Sequence, residues 1–237
     1  MIRFSNGKVS DRGRRLGGRG RPASAFIACS ALGKEVRELI ARHRWSADFI
    51  PLDARYHLYP KQIEEAVEKT LCETDDQYDK RVVVYGQCGC HHLDDILARH
   101  PGAVRPVGPH CYEMFGGEDL LDAVREVPGT YFLTDYLVQV WDKLIVRGLK
   151  LDKHPKLIKV MFGHYRRMIY FAQENRPELV DKARAIADSL GLDLEVRSVG
   201  YGHLEDRLLA IMNDQPQPPS MAANDPHAYS YPVAGSA

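Results

Sequence analysis

The apolar positions of this chain fall into short blocks separated by polar, Gly-rich or Pro-rich stretches. Residues 25–29, Ala-Phe-Ile-Ala-Cys, form an apolar run of strand length leading into Ser30-Ala-Leu-Gly33. Val36, Leu39, Ile40 and His43 then recur at i, i+3, i+4 and i+7, which predicts one face of a helix. Residues 48–52 read as a second strand, and a helix starting after Pro60 carries Ile63, Ala66, Val67 and Thr70 on one side. Acidic residues in 73–79 mark a surface loop. Residues 81–85, rich in Val and ending in Tyr85, read as a strand buried on both faces. It opens into Gly86-Gln-Cys-Gly-Cys-His-His92, followed by a helix over 93–100.

A fourth strand is predicted at 104–107, then Gly108-Pro-His-Cys-Tyr112 and a short helix through Phe115. The Pro128-Gly129 turn introduces a fifth strand at 130–134. Residues 135–175 read as helical, with Leu137, Val140, Trp141, Leu144, Leu157, Val160, Met161 and Tyr165 as apolar positions. A helix over 177–190 with a Gly191 cap, a strand over 192–199 and a helix over 204–212 follow. This alternation predicts an α/β fold: a mostly parallel sheet with flanking helices and a helical insertion around 135–175.

The charges add one feature. The 237 residues carry 32 basic and 32 acidic side chains, yet residues 1–22 hold seven basic groups against Asp11. Residues 1–22 are therefore expected to be a disordered basic arm or a misassigned start, 23–213 a single α/β domain, and 214–237, with five prolines, a disordered tail. Outside the arm no uniformly basic face favours nucleic acid, and no apolar run approaches the ~20 residues of a membrane-spanning helix. Five cysteines without a secretory signal argue for free thiols in the cytoplasm.

The candidate chemistry lies in those thiols. Cys29, Cys88 and Cys111 each follow a predicted parallel strand and precede a helix, at the edge where open α/β sheets bind ligands. Thiolates gathered there would repel one another without a cation, so the arrangement points to a metal. A [4Fe–4S] cluster with one open iron and a zinc ion with one open position both suit three cysteines. Cys90, His91 and His92 are reserve ligands beside Cys88, whereas Cys72 reads as packing. His110, His203 and Tyr131 are candidate catalytic groups: His110 adjoins Cys111, His203 with Glu205 follows the Gly200-Tyr-Gly202 turn, and Tyr131 lies on the fifth strand. Thr134, Asp135, Tyr136 and Trp141 could wall a small-substrate pocket with it, core packing being the stronger reading of Trp141. His164, Tyr165, Arg166, Arg167 and Tyr170 read as a helical Arg/aromatic cluster. No Walker A loop, dinucleotide glycine fingerprint, Gly-x-Ser-x-Gly elbow or His-Glu-x-x-His motif is present.

Ile27-Ala-Cys-Ser-Ala-Leu32 with Glu35, Val84-Tyr-Gly-Gln-Cys-Gly89, His110-Cys111 with Phe115, and Pro128-Gly-Thr-Tyr-Phe-Leu-Thr134 resemble the domain of unknown function 1638 family, over about residues 26–212. The Gly163-His-Tyr-Arg-Arg167 region is a weaker match. Ser30 stands where the family usually has Gly, and Cys90-His91-His92 where it usually has small or polar residues. The family's genes often neighbour corrinoid methyltransferases, so the resemblance implies one-carbon or methylamine metabolism. It leaves open a metal-dependent lyase or transferase on a small substrate, or a non-catalytic accessory or metal-delivery protein for a corrinoid protein or methyltransferase.

Overall fold

The computed structural model describes residues 23–87, 90–108 and 111–218. Cys88, His110 and the arm of residues 1–22 fall outside these ranges. Among the described residues no helix is long and apolar enough to cross a membrane.

The chain builds two parallel sheets rather than one. In the first, β1 (Ser24–Cys29) pairs with β2 (Ala47–Leu52) on one side and β3 (Lys80–Val84) on the other, and β3 pairs with the short β4 (Ala103–Val104), giving the order β2-β1-β3-β4. In the second, β5 (Thr130–Thr134), β6 (Arg167–Ala172) and β7 (Asp193–Ser198) pair in the order β5-β6-β7.

Strand alternation sorts the first sheet's side chains into two cores. Phe26, Ala28, Val82 and Val84 face Val36 and Leu39 of α1 (Gly33–Arg42) and Leu204, Leu208 and Ile211 of α8 (His203–Met212). Ile27, Cys29, Val83 and Tyr85 face Ile63, Val67 and Leu71 of α2 (Pro60–Thr74) and the apolar side of α3 (Leu93–Ala98). Every residue of β1 is buried, as a central parallel strand covered on both faces requires.

The second sheet repeats the scheme. Tyr131, Leu133, Met168 and Tyr170 pack on α5 (Asp135–Trp141) and α7 (Pro177–Leu190), while Phe132, Ile169 and Phe171 pack on α4 (Cys111–Glu126). The expected helical stretch is corrected here. Helix α5, a π-helical turn (Asp142–Val146) and α6 (Lys156–Phe162) fill its first part, but β6 occupies the centre of the second sheet. The Arg/aromatic cluster is therefore not helical: Arg167 and Tyr170 stand on a strand. A short apolar run such as Met168–Ala172 carries no period that separates strand from buried helix.

Two elements tie the sheets together. α4 packs Met114 and Phe115 on the first sheet and Leu120 and Leu121 on the second, bending at Gly117 (φ 50°, ψ −129°). α8 returns from β7 to the first sheet and lies against α4, where Gly202 (φ 51°) lets the backbones approach closely. A Cβ on Gly202 would sit 2.2 Å from the Phe115 carbonyl oxygen. Gly202→Ala is accordingly expected to lower stability by roughly 2–4 kcal/mol, combining left-handed strain with a backbone collision. At Gly200 (φ 56°) no atom of the described residues lies within 4 Å of an added Cβ. Gly200→Ala should therefore cost only the ~1–2 kcal/mol of strain. Equal urea midpoints for the two variants would contradict the close approach.

The side-chain amide of Gln217 donates to the Arg105 carbonyl at 2.9 Å and accepts from the Val107 amide at 2.9 Å, in the segment that follows β4.

Candidate functional site

The carboxyl edges of the two sheets meet. The Ser30–Leu32 turn after β1 touches the start of α5, and Lys34 forms an ion pair with Glu174, just beyond β6. Between the edges lies a cavity of about 80 Å³. Ala31 and Leu32 wall it from the loop after β1, Ala54 and His57 from the 3₁₀ segment after β2, and Cys111, Tyr112 and Phe115 from the start of α4. Tyr131, Thr134 and Tyr136 close it from the second sheet, with Leu137, Leu144 and Ile145 behind them.

Cys29 ends β1 with 1% of its surface exposed. Its sulfur accepts from the Ala31 amide at 3.4 Å, capping the turn that starts α1. Its other neighbour is the Nδ1 of His57 at 3.7 Å. His57 is held in place by its ring stacked on Tyr85, with centroids 6.1 Å apart, and by an Nδ1 contact of 3.2 Å to the Ala54 carbonyl. Tyr136 stands close enough that burial first, then the charges of Cys29 and Asp53, push its phenol pKa upward.

Cys111 opens α4 half-buried and touches the cores on both faces of the first sheet. Cys90 is 2% exposed and belongs to the same apolar cluster as Cys29. Its loop is fixed by Glu64 of α2, whose Oε1 accepts from the amides of His91 and His92 at 2.8 and 2.9 Å. Both imidazoles are exposed, and His92 faces Asp95. The sequence reading of Cys72 is corrected: it is exposed on α2, not packed.

Of the proposed catalytic groups, Tyr131 is brought to the cavity. It is 1% exposed, and its hydroxyl has no hydrogen-bond partner among the described residues. Burial raises its pKa far above that of an ordinary phenol. Thr134 and Tyr136 also line the cavity, whereas Trp141 packs behind Tyr131, edge-on at 5.9 Å. Asp135 turns instead into a hydrogen-bonded node that joins the ends of β5 and β6. It accepts from the Tyr170 hydroxyl at 2.6 Å and from the amides of Gln173 and Glu174 at 3.0 and 3.1 Å.

His203 is exposed and lies outside the cavity wall, its ring over the bend at Gly117. Glu205 pairs with His43 at 2.7 Å and Arg42 at 2.8 Å, tying α8 to α1. Gly202 of this turn lets the backbone of α4 approach.

His57 and Glu64 were missed in the sequence. Neither has a local motif: His57 meets a sulfur 28 positions away, and Glu64 meets amides 27 and 28 positions away. Among the described residues no three His, Cys, Asp or Glu side chains come together as a metal-holding group, and the expected ligand Cys88 lies outside them.

Two parallel sheets with a cavity between their carboxyl edges define an α/β protein, and such edges are where open α/β sheets bind ligands. The chain belongs to the family described as Protein of unknown function (DUF1638), whose profile matches residues 51–208. That span takes in Cys88, His110, Cys111, Tyr131 and His203, and begins after Cys29. Comparison with curated proteins gave no match.

Proposed function

We propose that Cys29, Cys88 and Cys111 hold a metal centre, an iron–sulfur cluster or a zinc ion, beside the cavity, and that the protein acts there on a small molecule. The observation that carries this reading is the strand order. β1, β3 and β4 are consecutive in the first sheet; Cys29 ends β1, Cys111 opens the helix after β4, and in the sequence Cys88 comes four residues after β3. Cys29 accepts one backbone amide and lies 3.7 Å from His57 Nδ1, which also meets the Ala54 carbonyl and so keeps its proton; His57 is a neighbour of the sulfur and not one of the proposed ligands.

A bound centre of this kind would supply Lewis acidity to a substrate oxygen. The chain's own residues do the rest. Apolar side chains make up much of the wall, Glu64 steadies the loop before α3, and Tyr131 lines the cavity beside Thr134 and Tyr136. His110, one residue before Cys111, is placed by the sequence to exchange a proton or donate to sulfur.

The test is purification without oxygen, followed by assay of iron, zinc and acid-labile sulfide. About four irons and four sulfides per chain, or about one zinc, is the expected result. Cys29→Ser, Cys88→Ser and Cys111→Ser should each lose most of the metal, while Cys72→Ser keeps it. Folded, metal-free wild type, or metal retained in all three variants, would overturn the proposal. Turnover without any partner protein would favour an enzyme over an accessory role.

A further inference from the structure

Residues 143–166, between α5 and β6, carry five lysines and two arginines against a single acid, Asp152. All seven basic side chains are exposed. Most other described Lys and Arg side chains reach a carboxylate, as Lys34, Arg42, Arg99 and Lys182 do. None of these seven forms an ion pair among the described residues. Their spacing follows no single period, which hid them in the sequence. Like charges gathered without partners repel one another, and an anionic surface relieves that repulsion.

The same segment exposes apolar surface. The inner side of α6 is accounted for, because Ile158, Met161 and Phe162 pack on the core of the second sheet. On its outer side Leu157 is 37% and Val160 74% exposed, two of the four large hydrophobic side chains exposed among the described residues. At 100° per residue they share one outward arc with Lys156 and Lys159. The turn that holds Lys150 and Lys153 runs directly into this helix, with the His154 amide on the Lys150 carbonyl and the Leu157 amide on the His154 carbonyl.

The composition selects the partner. The centre of a protein interface concentrates aromatic side chains and Arg and is depleted of Lys, the reverse of this surface. Nucleic acid gains from aromatic stacking, but no Phe, Tyr or Trp of the segment is exposed, and phosphates gain nothing from an exposed valine. An anionic lipid surface uses both parts. Its headgroups attract each lysine, whose aliphatic stem lies along the boundary, while apolar tips enter just beneath.

We infer that the outward face of α6 and the turn before it dock on an anionic lipid surface, with the lysines on the headgroups and Leu157 and Val160 in the boundary below them. The contact is peripheral and reversible. It is independent of the metal centre, although Leu144 and Ile145 of the same segment wall the cavity.

The test is sedimentation of the full chain with vesicles of equal parts phosphatidylglycerol and phosphatidylcholine, against phosphatidylcholine alone. Binding to the anionic vesicles should be at least about tenfold tighter, and should weaken by a similar factor between ~0.05 M and ~0.5 M NaCl. Lys153→Glu, Lys156→Glu and Lys159→Glu combined should weaken it at least about tenfold. Val160→Ser, which leaves the charge alone, should weaken it roughly three- to tenfold. Residues 1–22 are also basic, so Arg12→Glu, Arg14→Glu and Arg15→Glu combined give the same change in net charge elsewhere, and should weaken binding by no more than about threefold. The exposed positions on α6 and its turn predict unchanged circular dichroism for their variants.

No preference for anionic vesicles would overturn the inference, as would binding lost with the arm variant but kept by the lysine variant. Binding that ignores Val160→Ser, matched by equally tight, lysine-dependent binding of single-stranded DNA, would overturn it in favour of a nucleic-acid surface.

Discussion

Replacing Arg207 by Met is expected to destabilise the protein by about 3–5 kcal/mol, because it removes one partner of a fully buried ion pair. Arg207 on α8 donates to Glu113 on α4 at 2.8 Å, and the two side chains are only 2% and 0% exposed. The loop preceding α4 wraps the pair closely, since a Cβ on Gly108 would lie 2.6 Å from Glu113 Oε2. Neither charge can reach water if the other is lost. For a chain of this size the loss corresponds to a fall in Tm of about 10 °C. Glu113→Gln should cost a comparable amount, and the double variant much less than the sum, because the penalty lies in the uncompensated charge. Additive losses in a double-mutant cycle would mean that the two groups do not depend on each other.

The location of this pair matters more than its energy. Glu113 is two residues past Cys111, and Arg207 lies on the helix that returns from the second sheet. The pair therefore sets where the start of α4, with Cys111, sits against the first sheet. With the proposed metal centre in place, Arg207→Met should release metal more readily than wild type even at temperatures where it stays folded. Identical metal retention would separate the ion pair from the site.

Much of this arrangement was legible in the chain before folding. Strands β1, β3 and β5 were readable because each is a compact apolar run ended by a turn residue. Helix α7 was readable because Pro177 starts it and Gly191, at φ 68°, ends it. Cys29 closes β1, but β4 ends at Val104, three residues short of the expected strand, and Cys111 opens α4 seven residues beyond it. The division into two sheets was not legible, because a doubly covered strand has the same composition in either sheet. β6 was hidden for the same reason, lying just after a helical stretch whose apolar positions run almost into it. The bend of α4 was invisible because Gly116-Gly117 within a helical pattern signals only weakness, not direction. The Cys29–His57 contact and the Glu64 clamp on the His91–His92 amides depend on how β2 and α2 pack, information that no local spacing contains.

Glu35→Gln is expected to stabilise the protein at neutral pH. Glu35 occupies the first turn of α1 with 4% of its surface exposed, and its Oε2 has no hydrogen-bond partner among the described residues. Burial is the main cause that lifts its pKa from 4.5 to about 7, with the Asp135 charge adding to it; its own backbone amide and Lys34 work the other way. An acid whose folded-state pKa is raised ionises first in the unfolded chain. Its neutral form therefore supports the fold fully below about pH 4.5, that support fades between pH 4.5 and about 7, and above 7 the loss is constant.

The span of about 2.5 units corresponds to roughly 3 kcal/mol. Glutamine keeps the shape and removes the ionisation. The variant should match wild type near pH 4 and exceed it by up to roughly 3 kcal/mol by pH 7.5, read from urea unfolding at a series of pH values. Parallel curves for the two proteins would show that Glu35 does not titrate in this range. The charge that opposes Glu35 belongs to Asp135, on the other sheet, which is fixed by Tyr170, Gln173 and Glu174 and cannot turn away. Asp135→Asn should therefore bring the Glu35 transition closer to its ordinary pH, because the repulsion acts across the junction where the two carboxyl edges meet.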